Sequence, residues 1–389
     1  MDAKLFARML ADPTIIDLKK LGYKYPQASI REFADLLRDG FTKDLPLRDF
    51  QGNQVVYLPG VTQVQLSAAK VLLTPQDRMQ IYGRKAMEEE ILATFSIEQI
   101  DTSRESVRRI MAGYAPDSEI EYRVQGMKLG LEFIADTTHA ITEENLFYLY
   151  QMVVGQFLPQ EDQLLPSNLY RHDSVYVVGN KVEHTGLPWQ KLPSYMAELM
   201  NFIQGDDPGN DLLQAAIIHF YLAYLHPYFD GNGRMARLLH LWFLTQRGYP
   251  STLFIPLSEY IQHSKKQYYD AFTLVEQNAR FSGMLDLTPF LMYFVRQVYG
   301  KLEHALPEGK TTDTFQQVLA GGKITEKEKE LWQFVLSAYG TEEFSTKQLE
   351  KDFGNAAYAT IRGFVLKFEE LGLLHSTTYG NRKKYRVIG

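Results

Sequence analysis

The chain has 389 residues, a formal net charge of −6, 45% hydrophobic and 23% charged residues, and no cysteine. These numbers exclude disulfides, thiolate metal sites and a molecule-wide basic surface for nucleic acid, and they point to two or three domains rather than one small core. No signal peptide is expected at the N-terminus, and no uncharged apolar run approaches the roughly 20 residues that span a bilayer, so a cytoplasmic protein without membrane contact is the expectation.

Residues 1–75 read as an N-terminal extension. The pattern predicts helices over Ala3–Leu10 and 30–37, then a short strand and turn in NQVVYLPG at 53–60. From residue 76 the pattern becomes helical. Gln76 or Asp77 is expected to start a helix running through RMQIYGRKAMEEEILATF, and SRESVRRIMAGY follows with Ser103 as N-cap. Two more helices are expected near residues 119–134 and 143–154. LYRHDSVYVVGNKVEHTGLP then carries a β-rich run, Gly179 and Asn180, and a second run, which is a hairpin signal. This hairpin is either a surface decoration or a binding flap. Pro193 opens a further helix, and helices are expected over 257–277 and 287–302, the latter with Pro289 near its start.

Residues 306–322 read as a linker, and 323–389 as a separate module of three helices and a hairpin turning at Gly380 and Asn381. The arrangement resembles a winged helix-turn-helix. It holds 11 Lys/Arg against 9 Asp/Glu. Arg382, Lys383, Lys384 and Arg386 cluster on the wing, which favours a phosphate-backbone contact with DNA. The alternative is a protein–protein or dimerisation module, as in a homodimer.

The richest stretch is HPYFDGNGRMAR at 226–237, a polar loop between two apolar runs. Gly231 and Gly233 let the backbone approach a ligand, and they sit where a helix begins, an anion-binding position. Arg234 and Arg237 share one helix face, so two guanidinium groups lie beside the exposed amides. Asp230 puts a carboxylate where phosphates would sit, the usual way of holding Mg²⁺, although a helix N-cap is its plainer role. His226 can act as a general base near neutral pH. Together these residues point to transfer of a phosphorus-containing group from a nucleotide.

The stretch resembles the Fic signature, H-P-F-x-D-G-N-G-R-x-x-R, with Tyr228 in place of the usual Phe. The likeness extends over about residues 76–305. It implies a mainly α, Fic-type helical core with a β-hairpin flap, and an enzyme transferring AMP from ATP to a Tyr, Thr or Ser hydroxyl of a protein. In that resemblance His226 takes the hydroxyl proton and Asp230 holds Mg²⁺. Gly231, Asn232 and Gly233 cradle phosphates, and Arg234 and Arg237 meet the pyrophosphate and γ-phosphate. The flap at Val175, Tyr176 and Val177 aligns the target by strand pairing. TFSIE at 94–98 resembles the family's inhibitory motif, S/T-x-x-x-E-G/N, placed before the core. Thr94 and Glu98 would then oppose productive nucleotide binding, Glu98 by pairing with Arg237, with Gln99 replacing the usual Gly or Asn. Two other functions stay open: related transfer chemistry or AMP removal at the same site, and a DNA-binding regulator that only senses nucleotide.

Overall fold

A computed structural model describes residues 1–73, 83–178, 182–205, 210–304, 318, 324–339, 343–354, 356–380 and 382–388. The expected helix start at Gln76 or Asp77, the hairpin turn at Gly179 and Asn180, Asn381 and nearly all of the 306–322 linker lie outside these residues.

The chain is mostly helical. The first segment contains α1 (Ala3–Leu10), α2 (Leu18–Gly22) and α3 (Gln27–Gly40), which bury Met9, Leu21, Phe33 and Leu37 in a small cluster of their own. Strand β1 (Lys43–Arg48) pairs antiparallel with β2 (Gln54–Tyr57), and α4 (Leu66–Leu73) follows. The second strand was legible from its alternation. Neither β1, interrupted by Pro46, nor α4 was.

The large core is built from α5 (Arg84–Ile97), α6 (Arg104–Met111), α7 (Glu119–Ala135), α8 (Glu143–Val153), α9 (Leu192–Gln204), α10 (Asp211–Leu225), α11 (Asn232–Gln246), α12 (Leu257–His263), α13 (Lys265–Ser282) and α14 (Thr288–Tyr293). Helix α10 is apolar on every face and almost wholly buried, as a central helix must be. Asn210 caps it by accepting from the amides of Leu212 and Leu213. Helix α11 packs beside it, with Met235, Leu238, Trp242 and Phe243 buried. Ser103 caps α6 through the amide of Ser106, as expected.

Two helices differ from the sequence reading. The stretch at 257–277 is broken at Ser264, whose amide bonds the Ile261 carbonyl while its hydroxyl bonds the Tyr260 carbonyl and the Tyr293 hydroxyl. The stretch at 287–302 is α-helical only to Tyr293; a π turn (Phe294–Val298) and a 3₁₀ segment (Tyr299–His304) complete it.

The C-terminal segment contains α15 (Glu326–Ala338), α16 (Thr346–Phe353), α17 (Tyr358–Glu370) and an antiparallel pair, β5 (Leu374–Tyr379) and β6 (Arg382–Val387). Its own cluster includes Leu331, Trp332, Phe364, Phe368 and Tyr385. Phe344 bridges to Tyr385 beside this hairpin. Arg84, at the start of α5, donates to the carbonyl of Asp352 in α16.

Candidate functional site

Helix α10 ends one residue before His226, which takes the left-handed conformation at φ 54°. A glycine usually occupies such a position because a Cβ there is strained. Here the left-handed residue turns the chain out of α10 and into the loop that leads to α11. The His226 Nδ1 lies 3.2 Å from the Ala223 carbonyl. A carbonyl only accepts, so Nδ1 carries the proton and Nε2 keeps its lone pair. Burial holds the ring well below the usual histidine pKa, down to about 4, and the neighbouring His184 and Arg171 act in the same direction. The imidazole is therefore neutral at physiological pH.

Gly231, at φ 78°, is the residue before α11 and supplies no capping side chain. Asp230 is thus not the helix cap. The first amides of α11 are left without a side-chain acceptor, the condition under which a helix end receives an anion. A Cβ on Gly231 would meet Val154 Cγ1 at 2.7 Å, so the loop closes down onto α8 only because that residue is glycine.

Asn232 is buried. Its carboxamide accepts from the Tyr228 amide at 3.0 Å and donates to the Tyr228 carbonyl at 2.8 Å. The side chain expected on a phosphate thus shapes the loop, and the backbone amides of α11 remain as the anion donors. Tyr228 itself stacks flat on Tyr150, ring centroids 3.8 Å apart. That close, parallel packing accounts for an aromatic residue at this anchor, while the two hydroxyls have no protein partner among the described residues.

Arg234 and Arg237 are both almost wholly buried. Arg234 Nη2 donates to Asp230 Oδ2 at 3.0 Å, and the Asp230 side chain is otherwise half exposed. Burial lowers the pKa of Arg234. Burial also opposes the charge of Arg237, but the adjacent Glu98 outweighs it and the pKa is raised. Arg237 Nη1 and Arg234 Nε have no hydrogen-bond partner among the described residues. Buried donors of this kind are costly to leave unmade, and phosphate oxygens would satisfy them. A lone, half-exposed carboxylate such as Asp230 also suits Mg²⁺, which commonly binds one or two carboxylates with substrate phosphates and waters.

Across from these guanidiniums, α5 ends at Ile97. Arg237 Nε donates to Thr94 Oγ1 at 2.6 Å, and Nη2 reaches Glu98 Oε1 at 2.6 Å. Glu98 Oε1 fills the space that a Cβ on Gly233 would occupy. The carboxylate therefore sits on the anion-receptive end of α11. Gln99 follows at φ 59°. The amides of Gln99 and Ile100 return to the carbonyls of Ser96 and Phe95, at 3.2 and 2.9 Å, the pattern a glycine usually supplies at a helix end. Gln262 and Lys265 also bond Ser96, and the Tyr269 hydroxyl lies 3.4 Å from the Ile97 carbonyl.

The hairpin consists of β3 (Tyr176–Val178) and β4 (Val182–Thr185), paired antiparallel with Val177 opposite His184. Tyr176 is more than half exposed, and the Val175 carbonyl accepts from the Gly186 amide. Two residues that sequence reasoning missed anchor this hairpin. His184 Nδ1 lies 2.6 Å from Glu276 and Nε2 lies 2.8 Å from the Tyr224 carbonyl. Arg171 bonds the backbone on both sides of the hairpin and the carbonyl of His226. Only the YRHD run just before the hairpin could have drawn attention to Arg171.

Residues 140–244 match the family model described as Fic/DOC family. The chain is 26% identical over 175 residues to the protein adenylyltransferase Fic of Drosophila grimshawi, covering 44% of this chain and 32% of that protein. It is 28% identical over 136 residues to the namesake of Nematostella vectensis, covering 33% of this chain and 30% of that one. The chain thus spans about a third of the length of these curated relatives. A crystal structure of a Fic family protein from Desulfovibrio desulfuricans G20 covers 85% of this chain and 96% of its own, at 19% identity and a TM-score of 0.53, a likeness of fold.

Proposed function

We propose that this chain, whose residues 140–244 match the Fic/DOC family model, is a protein adenylyltransferase held back by its own Glu98. The observation that carries the reading is the meeting of three features. A neutral imidazole, a helix N-terminus without a capping side chain and two buried guanidiniums all lie within residues 226–237. In the reaction, a Tyr, Thr or Ser oxygen of a target protein attacks the α-phosphorus of ATP. The new O–P bond forms as the bond to the bridging oxygen breaks, pyrophosphate leaves, and the hydroxyl proton passes to His226 Nε2. The α11 amides and Arg234 hold phosphate oxygens, and Arg237 meets the γ-phosphate. Asp230 is the residue that would hold Mg²⁺, which when bound neutralises phosphate charge. The hairpin edge at Val175, Tyr176 and Val177 receives the target segment as an added strand.

Glu98 opposes this arrangement. Its carboxylate lies on Arg237 and over Gly233, where a terminal phosphate would need both. Thr94 completes the grip from the same helix. The division of the chain into extension (1–75), catalytic core (76–305), linker (306–322) and C-terminal module (323–389) belongs to the same reading. Cytoplasmic location belongs to it too.

Parallel incubations with ATP labelled at the α- or the γ-phosphate test the chemistry, using the Glu98→Gly chain and a bacterial lysate. Label from the α-position alone should enter protein. Label from the γ-position would mean phosphate transfer and overturn the AMP assignment. A second reading, AMP removal, is favoured by Glu98 itself, a carboxylate held where it could activate water. Release of AMP from an AMP-modified protein by the wild-type chain would establish it. The C-terminal module has an observation of its own: Arg382, Lys384 and Arg386 alternate along one exposed face of β6, while Lys383 pairs with Glu369. Duplex DNA is the partner this face fits, and a titration at low salt with and without the Arg386→Ala change tests it.

A further inference from the structure

Arg171 is 2% exposed, and among the described residues no carboxylate lies within ion-pairing distance of it. Its guanidinium is held entirely by backbone carbonyls. Nε donates to His226 at 2.7 Å, Nη1 to Asp173 at 2.6 Å, and Nη2 to Leu187. The Arg171 amide bonds the Pro227 carbonyl at 2.9 Å, and the Leu187 amide bonds the Leu225 carbonyl at 3.2 Å. The three acceptors belong to three separate pieces of chain: the entry to the hairpin, its exit, and the turn that carries His226. A buried charge without a directly paired carboxylate is expensive, and burial brings the pKa of Arg171 down to about 10 against the attraction of the nearby Asp173. The planar fork matters here, because it spreads donors to three carbonyls in fixed directions, which an ammonium does less well.

The neighbourhood is shaped around this group. A Cβ on Gly186 would lie 2.7 Å from Arg171 Nη2, 2.8 Å from Val175 Cγ1 and 3.2 Å from His226 Cβ. Gly186 is therefore needed for the guanidinium to reach between hairpin and histidine. His226 sits at φ 54°, a strained state that persists only where surrounding bonds enforce it. The bond from Arg171 Nε to the His226 carbonyl is one such bond, and the donation of the His226 amide to Leu222 is another.

We infer that Arg171 is a positioning residue for His226: one buried guanidinium locks the left-handed backbone of the histidine and both ends of the hairpin into a single unit. Base and target-aligning strand are thereby set relative to each other before any substrate arrives. The inference rests on the reading of His226 as the base, and it concerns Arg171 through its carbonyl acceptors alone.

The test uses the full chain with Arg171→Lys, Arg171→Met and Gly186→Ala, the last displacing the guanidinium while keeping its charge. The first measurement needs no activity. Nitrogen-15 NMR of the imidazoles, with His226 identified by its loss in His226→Ala, should show a single Nδ1–H tautomer in the parent. All three variants should show an averaged or mixed tautomer. The second measurement is AMP transfer in the Glu98→Gly background. There kcat should fall at least about tenfold while KM for ATP stays within about twofold, the pattern of a misplaced base. Unchanged His226 signals with only a lower Tm overturn the proposal and leave Arg171 as a structural bridge, as does failure of all three variants to fold. If Glu98→Gly itself transfers nothing, the functional reading fails, and the NMR result still decides the clamp.

Discussion

The first turn of α11 and the last turn of α5 face each other across Arg237, and they are held in different ways. On the α11 side Asn232 is fixed by buried bonds to Tyr228, Arg234 and Arg237 are almost wholly buried, and the loop lies between helices whose surfaces are almost fully covered. On the α5 side, Thr94 is buried, but the turn beyond it rests on the ion pair of Glu98, on partly exposed bonds from Gln262 and Lys265, and on a non-glycine residue at φ 59°. The chemistry belongs to the side that cannot move without unpacking the core. In the proposed function, the control belongs to the side that can let go at lower cost.

The largest effect expected from breaking this contrast is on the rigid side. His226→Ala in a Glu98→Gly background should lower AMP transfer by about 10³-fold, within the span for a lost general base, with Tm little changed. Next comes the movable side. Glu98→Gly should raise transfer by roughly ten- to a hundredfold, the scale of a coupling of one to three kcal/mol. Saturating ATP should raise the Tm of this variant more than that of the parent, because a phosphate replaces the carboxylate lost from Arg237.

A smaller effect concerns protons. His226 and His240 are held down to about 4 and about 3 by burial, and His219 is lowered by the same cause. The unfolded chain takes up protons at these residues below about pH 6.5, while the folded chain resists until far lower. Their contribution is thus full above pH 6.5 and lost as pH falls toward 4. Asp286, raised to about 6 by burial, and Glu90, raised by the same cause, work in the opposite direction and offset part of this loss. A Tm lower by about 5 °C at pH 4.5 than at pH 6.5 is expected in a thermal scan. A flat profile would show that these rings are not buried as neutral groups. The smallest effect sharpens the contrast: Gln99→Gly removes the strain at the end of α5, and basal transfer should drop a few-fold as Glu98 is held more firmly.

Much of this site was legible in the sequence because its residues are neighbours in the chain. Residues 226–237 compress base, carboxylate, glycines and arginines into one loop, and the apolar runs around it announce two buried helices. Glu98 was legible only through the spacing of a family motif, since nothing local links it to a partner 139 residues away. His184 was not legible at all, and Arg171 only as part of the YRHD run. Their meaning lies in acceptors 55 and 92 residues distant, and an isolated Arg or His in a β-rich run has no pattern to reveal that. The fold followed the same division. Periodic helices such as Glu119–Ala135 were readable, whereas the break at Ser264 depends on a hydroxyl of Tyr293 that only tertiary packing brings near.

In the proposed function, Glu98 and the terminal phosphate compete for one guanidinium, that of Arg237. A double-mutant cycle tests it most directly, with AMP transfer measured for the parent, Glu98→Gly, Arg237→Gln and the pair together. Glu98→Gly should activate strongly when Arg237 is present and hardly at all when Arg237 is glutamine, because the contact being released is already gone. Equal activation in both backgrounds would contradict it.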